Sequence, residues 1–298
     1  MQELPMTPIH EFTGTVLSAS LSELGEGPSF DATTGTLWWF DILGKSLHEL
    51  HLASNNHLVH PLPFMGSVIA AVDAGRQVIG SESGLFIRDR KRGSLSLHCE
   101  LEPDKPGNRS NDGRVHPSGS LWIGTMSKKA DTGAGAIYHV ARGTVTRLFP
   151  EISIPNSICF SPDGGTGYYV DTRVNRMMRV PLDRATGLPS GAAEVFIDQA
   201  GEAGGIDGSI CDSKGDIWNA RWGQGAVDHY SATGEHLARY RVPANQTTCP
   251  AFIGEGKIAV TSAREGLDEA GRSADPLAGA LFMLSVPIVG QAEPSYKL

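Results

Sequence analysis

Six times along this chain a polar turn ending in or just before glycine leads into a short apolar or aromatic strand, and a second strand follows. Asp31 to Gly35 precedes Leu37-Trp38-Trp39-Phe40, and Asp73-Ala74-Gly75 precedes Gln77-Val78-Ile79-Gly80. The phrase returns at His116-Pro117-Ser118-Gly119, Ser161-Pro162-Asp163-Gly164, Asp212-Ser213-Lys214-Gly215 and Ile253-Gly254-Glu255-Gly256. The copies are spaced by roughly 40 to 50 residues, the period of a propeller blade. A sandwich has no reason to repeat at this interval. Each copy can supply the hairpins of one four-stranded sheet, and six sheets set radially leave only short, protected edges. The stretch around Thr13 to Leu17 is apolar enough to pair as an outer strand with the last copy and close the ring. The expectation is therefore an all-β chain, a six-bladed β-propeller forming a single domain over residues 1–298. The 36 glycines and 18 prolines fit the many tight turns this requires. No helix longer than two turns is expected, and residues 263–279 read as a loop within the last blade.

The net charge of −8 disfavours nucleic acid or an anionic membrane as partner, because both reward clustered Lys and Arg. Met1 to Phe12 lacks a basic segment followed by an apolar run, so no signal peptide is expected. No apolar stretch approaches the roughly 20 residues of a membrane span. Cys99, Cys159, Cys211 and Cys249 show neither a CxxC pair nor zinc-ligand spacing. Free thiols, at least two of them buried in strands, and a reducing cytoplasm are the expectation. A monomer or weak homodimer is expected.

Counting back five residues from each turn gives Glu26, Asn111, Asn156, Asp207 and Thr248, with Ser67 or Val68 in the second copy. In a propeller the innermost strands line the central channel, so equivalent positions form a ring about the axis. This ring holds two carboxylates and two carboxamides. Converging buried carboxylates repel one another and are costly without a partner. A cation in the central channel removes both penalties. Oxygen ligands suit Ca²⁺, Mg²⁺ or Mn²⁺, and accept Zn²⁺ or Fe²⁺ when water fills the remaining positions.

Several stretches of the chain resemble the gluconolactonase, SMP-30 and regucalcin family. They are LGEGPSFD at 24–31, NRSNDGRVHPSGSLWIGTM at 108–126, IPNSICFSPDG at 154–164, GIDGSICDSKGDIWNARWGQGAV at 205–227 and VTSAREGL at 260–267. The resemblance implies a six-bladed propeller with one divalent metal on its axis. It implies Glu26, Asn156 and Asp207 as metal ligands and Arg109 and Asn111 as substrate contacts. The vertebrate members place a substrate-contacting Glu three residues past the Met of GTM, where this chain has Lys129. In this loop, and in Asn219-Ala220-Arg221-Trp222-Gly223, the chain is more similar to bacterial sugar lactonases.

The implied reaction is hydrolysis of an aldono- or aldaro-lactone to the free sugar acid. Asp207 is the candidate general base, since one carboxylate oxygen can hold metal while the other takes a proton. Lys129 is placed to meet a substrate carboxylate, and Trp222, with Tyr138, to wall the pocket. No GxSxG elbow, HExxH or Walker motif competes with this reading. The alternative is a non-enzymatic calcium-binding propeller of the regucalcin type. Arg109 and Asn111 argue for catalysis, because a storage site needs neither.

Overall fold

The structure, a computed structural model, describes residues 7–298. The part of the N-terminal reading that falls on residues 1–6 lies outside the described residues. Six sheets, each built on four antiparallel strands, follow one another along the chain. Their innermost strands are Gly25–Asp31, Gly66–Ala71, Asn108–Val115, Pro155–Phe160, Gly205–Cys211 and Thr247–Phe252. Each of these packs against the innermost strand of the blade before and after it, and the sixth packs against the first. The fold is an all-β six-bladed β-propeller.

Strand chemistry follows burial. The second strands, such as Thr36–Asp41 and Leu121–Ser127, are buried along their whole length because both sheet faces are covered by adjacent blades. They are accordingly continuous apolar runs. The outermost strands, such as Asn56–Pro61, are mostly exposed and polar. The core is divided into apolar layers between blades. One joins Val68, Val78, Leu121 and Ile123; another joins Trp122, Ile158, Phe160 and Tyr169.

Thr15–Ser18 pairs antiparallel with Leu281–Ser285 and becomes the outermost strand of the sixth blade. An additional two-residue strand, Ile9–His10, pairs parallel with His236–Arg241 of the fifth blade. That short pairing has no alternating pattern from which it could be read. Residues 263–279 contain one short helix, Glu269–Ala274, capped by Asp268, whose Oδ1 accepts from Gly271 N at 2.8 Å. Cys159, Cys211 and Cys249 are buried and Cys99 is half-buried; all four are free thiols.

The residues after Ser285 make no strand. They cross the end of the channel where the innermost strands finish. Ser213 N donates to Val289 O at 2.9 Å, Tyr296 N to Ala71 O at 2.8 Å and Lys297 N to Gly119 O at 2.9 Å. Glu293 pairs with the half-buried Arg114 of the third blade. The tail thus ties the second, third and fifth blades across the channel floor. Tyr296 anchors it: its side chain is fully buried and its hydroxyl meets His98 Nε2 at 3.0 Å. Tyr296→Ala should lower stability by about 3–5 kcal/mol, as for other large aromatic truncations. Chemical denaturation checks this; a change under about 1 kcal/mol would show that the tail is not part of the cooperative unit.

Candidate functional site

Every innermost strand carries one extra residue at the same level. The register shifts between Glu26 and Ser29, Gly66 and Val68, Ser110 and Gly113, Asn156 and Cys159, Ile206 and Ser209, and Thr247 and Pro250. A bulge of this kind bends a strand and re-aims its side chains. The offset positions read from the sequence all fall at these bulges, and in the second blade the extra residue is Ser67. Asp112-Gly113 and Asp207-Gly208, which look like turn dipeptides, lie inside strands. Their glycines answer close approach of the neighbouring blade. A Cβ on Gly208 would stand 2.4 Å from Cys249 Sγ. In the first blade Gly27 takes a left-handed φ of 56°, and a Cβ there would stand 2.1 Å from Ser67 O.

Within this ring the six positions divide into two kinds. Ser67 and Thr248 stitch blades together: Ser67 Oγ meets Ser110 Oγ at 2.7 Å, and Thr248 Oγ1 donates to Gly25 O at 2.6 Å. Glu26, Asn111, Asn156 and Asp207 are buried; Asn111 bonds Asn156, and the charge of Glu26 acts on Asp207. Arg109 Nη1 donates to Asn111 Oδ1 at 2.6 Å, and Asn111 Nδ2 donates to Asn156 Oδ1 at 2.8 Å. Asn156 Nδ2 donates to Thr172 Oγ1 at 2.9 Å. The backbone of Asp207 is held by Asn219 Nδ2, 3.0 Å from its carbonyl oxygen.

The electrostatics are those of crowded, desolvated carboxylates. Burial, then the charge of Asp112, pushes Glu26 up to about 8. Asp207 is also raised, by burial first and then by Glu26 and Asp112. Its Oδ1 is buried with no hydrogen-bond partner. Asp112, raised by burial, has its oxygens engaged: Oδ1 accepts from Gly113 N at 2.8 Å and Oδ2 from Ile158 N at 2.7 Å. It stitches the third blade to the fourth. Burial lowers Arg109, against the pull of Glu265, Glu26 and Asp207. Glu265, in the loop after the sixth blade's second strand, is a half-buried carboxylate whose charge all three groups feel. Sequence reading missed Glu265, Asp112 and Thr172. Asp112 was legible as the neighbour of Asn111; the other two lie outside the repeated offset.

The remaining sequence-predicted residues stand as follows. Ser127 pairs with Asn108, so the loop bearing Lys129 lies at the end where the strand of Arg109 begins. Lys129 is exposed, and no ion pair to it occurs among the described residues. Trp222 ends the fifth blade's second strand, half-buried, bridged to Gln246 and packed on the apolar cluster around Leu24 and Phe64. Tyr138 does not wall a pocket. It is buried in the core with its hydroxyl donating to Glu102 Oε1 at 2.7 Å, because a tyrosine in a strand covered on both faces must find an internal acceptor.

A second group of metal-ligand type lies elsewhere. Asp212, Asp216 and His229 bring ligand atoms within 4.8 Å of one another at the opposite end of the fifth blade and could hold a metal ion. Their atoms are already engaged. Asp212 Oδ1 accepts from Lys214 N at 2.9 Å and Oδ2 from Trp218 Nε1 at 3.2 Å, while Asp216 Oδ2 meets His229 Nε2 at 3.0 Å.

Residues 24–264 match the family described as SMP-30/Gluconolactonase/LRE-like region. The chain belongs to this family. It is 54% identical to a Rhizobium meliloti protein named "Putative sugar lactone lactonase", covering 98% of this chain and 100% of that one. It is 33% identical to the L-arabinolactonase of Azospirillum brasilense, covering 93% of each. The crystal structure of a calcium-binding protein, regucalcin, from Agrobacterium tumefaciens superposes with a TM-score of 0.97 at 61% identity, covering 98% of this chain and 100% of that chain.

The raised carboxyls carry a pH signature. Without a cation, the folded site holds protons that the unfolded chain releases, so stability falls as pH rises from the ordinary 4.5 of a glutamic acid through about 8. The melting temperature of chelated protein should therefore decrease across this window, and Glu26→Gln should flatten the slope. A wild-type melting temperature that rises over the same window contradicts the assignment.

Proposed function

We propose that this chain hydrolyses a sugar lactone to the free sugar acid, with one divalent cation held by Glu26, Asn156 and Asp207. The observation that carries the reading is the buried, unpartnered Asp207 Oδ1 beside a raised Glu26. An orphaned oxygen among converging carboxylates is costly, and a hard cation satisfies all of them at once. The donor set, two carboxylates and an amide oxygen, fits Ca²⁺, Mg²⁺ or Mn²⁺ directly, and Zn²⁺ or Fe²⁺ with added water. The family and the lactonase names of its relatives support the reaction class.

A bound divalent ion supplies Lewis acidity toward the lactone carbonyl and a lowered pKa for water. Asp207 takes the proton from the attacking water. Arg109, whose Nη1 alone donates to protein among the described residues, and Asn111 hold the sugar hydroxyls or the developing oxyanion. Trp222 offers an apolar wall, and Lys129 a rim cation for a substrate carboxylate. The alternative, a calcium-binding propeller without catalysis, draws on the calcium-binding relative; Arg109 beside the carboxylates favours turnover.

A pH-stat screen of aldono- and aldaro-lactones, repeated after chelation and metal add-back, separates the two. Lactone turnover that chelation removes and metal restores is expected. Calcium binding without hydrolysis of any lactone supports the alternative. Asp207→Ala should cost at least about 10²-fold in turnover; full activity with unchanged metal content removes Asp207 from the reaction. Lys129→Ala should slow a glucarolactone more than an uncharged aldonolactone, and equal effects on both end that assignment.

A further inference from the structure

We infer that Thr172 is a positioning residue for the Asn156 ligand arm, fixing which end of its amide faces the axis. The inference rests on the metal reading above and adds a residue to it. Oxygen and nitrogen of an amide are told apart by their partners. Here the partners leave one answer. Arg109 offers only donors and Pro155 O only an acceptor, so Asn111 must turn Oδ1 to Arg109 and Nδ2 to Pro155 O, 3.0 Å away. The same Nδ2 meets Asn156 at 2.8 Å, so the atom it meets is an oxygen. Asn156 Nδ2 then points away from the axis and needs an acceptor, which is Thr172 Oγ1 at 2.9 Å.

A hydroxyl accepts reliably only if its own proton is committed elsewhere. Thr172 commits it to Ile206 O, 2.8 Å away in the strand that presents Asp207. Two further features hold the threonine in this pose. Its N–H donates to Ile154 O at 2.9 Å, two residues before Asn156. Its methyl lies where Gly205 has no side chain: a Cβ there would stand 2.7 Å from Thr172 Cγ2. The chain Arg109–Asn111–Asn156–Thr172–Ile206 therefore runs with one polarity across three blades. It ties the proposed substrate contacts to one ligand and to the strand of another. Partners that orient metal ligands are commonly worth about 10- to 100-fold in affinity.

The test uses full-length protein, chelated and then titrated calorimetrically with Mn²⁺ and Ca²⁺. Thr172→Val keeps shape but removes the acceptor; Thr172→Ser keeps the hydroxyl. Valine should weaken binding about tenfold or more, and serine should restore it to within about threefold of wild type. In an Asn156→Ala background the valine substitution should have no further effect, since Thr172 acts through Asn156. Affinity unchanged by valine, equal loss with valine and serine, or a valine effect that persists without Asn156 would each overturn the inference. A lowered melting temperature of the chelated variant with unaltered affinity marks a purely structural role and overturns it as well. Wild-type protein without a site abolished by Asp207→Asn overturns the metal reading and this inference with it; wild-type binding that survives only the Thr172 substitution overturns this inference alone.

Discussion

The bulge on each innermost strand is the constraint on which the site depends. A regular strand would alternate its side chains between the two sheet faces and pack them against adjacent blades. One extra residue breaks that alternation and lets a polar side chain turn along the channel while the strand goes on pairing. The cost is backbone close to backbone. Gly27 and Gly208 accommodate it by lacking a side chain, whereas Ser157 accommodates it with a left-handed φ of 55°. Ser157 is offset by its hydroxyl, which donates to Asp207 O and meets Ser209 Oγ at 2.9 Å. The strain therefore sits beside the residues proposed to carry the chemistry, held by the bonds that join one blade to the next.

The hydrogen bonds at the axis are directional as well as numerous. A polar core satisfied in only one sense presents one set of lone pairs to whatever occupies the channel. Asp207 Oδ1 remains outside this satisfied network, and Glu26 has only the N–H of Gly27, at 3.2 Å. The unsatisfied demand is thus concentrated on two carboxylates. That concentrated demand is what the proposed cation would relieve.

Much of this was legible in the sequence because a propeller repeats its geometry. The turn phrase marks the blades, and a fixed offset from it picks out Glu26, Asn111, Asn156, Asp207 and Thr248 without reference to any relative. The same logic left Ser67 and Val68 undivided, since only the pairing register shows which of them is the extra residue. Asp112-Gly113 and Asp207-Gly208 read as turns by composition, and only the approach of the next blade explains why glycine stands there inside a strand. Thr172 and Glu265 come from loops after second strands, where no repeat aligns them. Tyr138, named with Trp222 as a pocket wall, instead joins the core cluster of its blade, and no sequence pattern pairs it with Glu102, 36 residues away. The tail beyond Ser285 has no pattern, since its bonds are single tethers to separate blades.

Closure by Thr15–Ser18 makes the sixth blade depend on two distant parts of the chain. Thr15–Ser18 must wait for Leu281–Ser285, at the far end of the chain, before the sixth blade has its fourth strand. Glu26 stands on one side of that blade and Asp207 on the other. Their mutual geometry therefore leans on a contact between two distant parts of the sequence, a non-local pairing whose loop-closure entropy must be met before the contact forms.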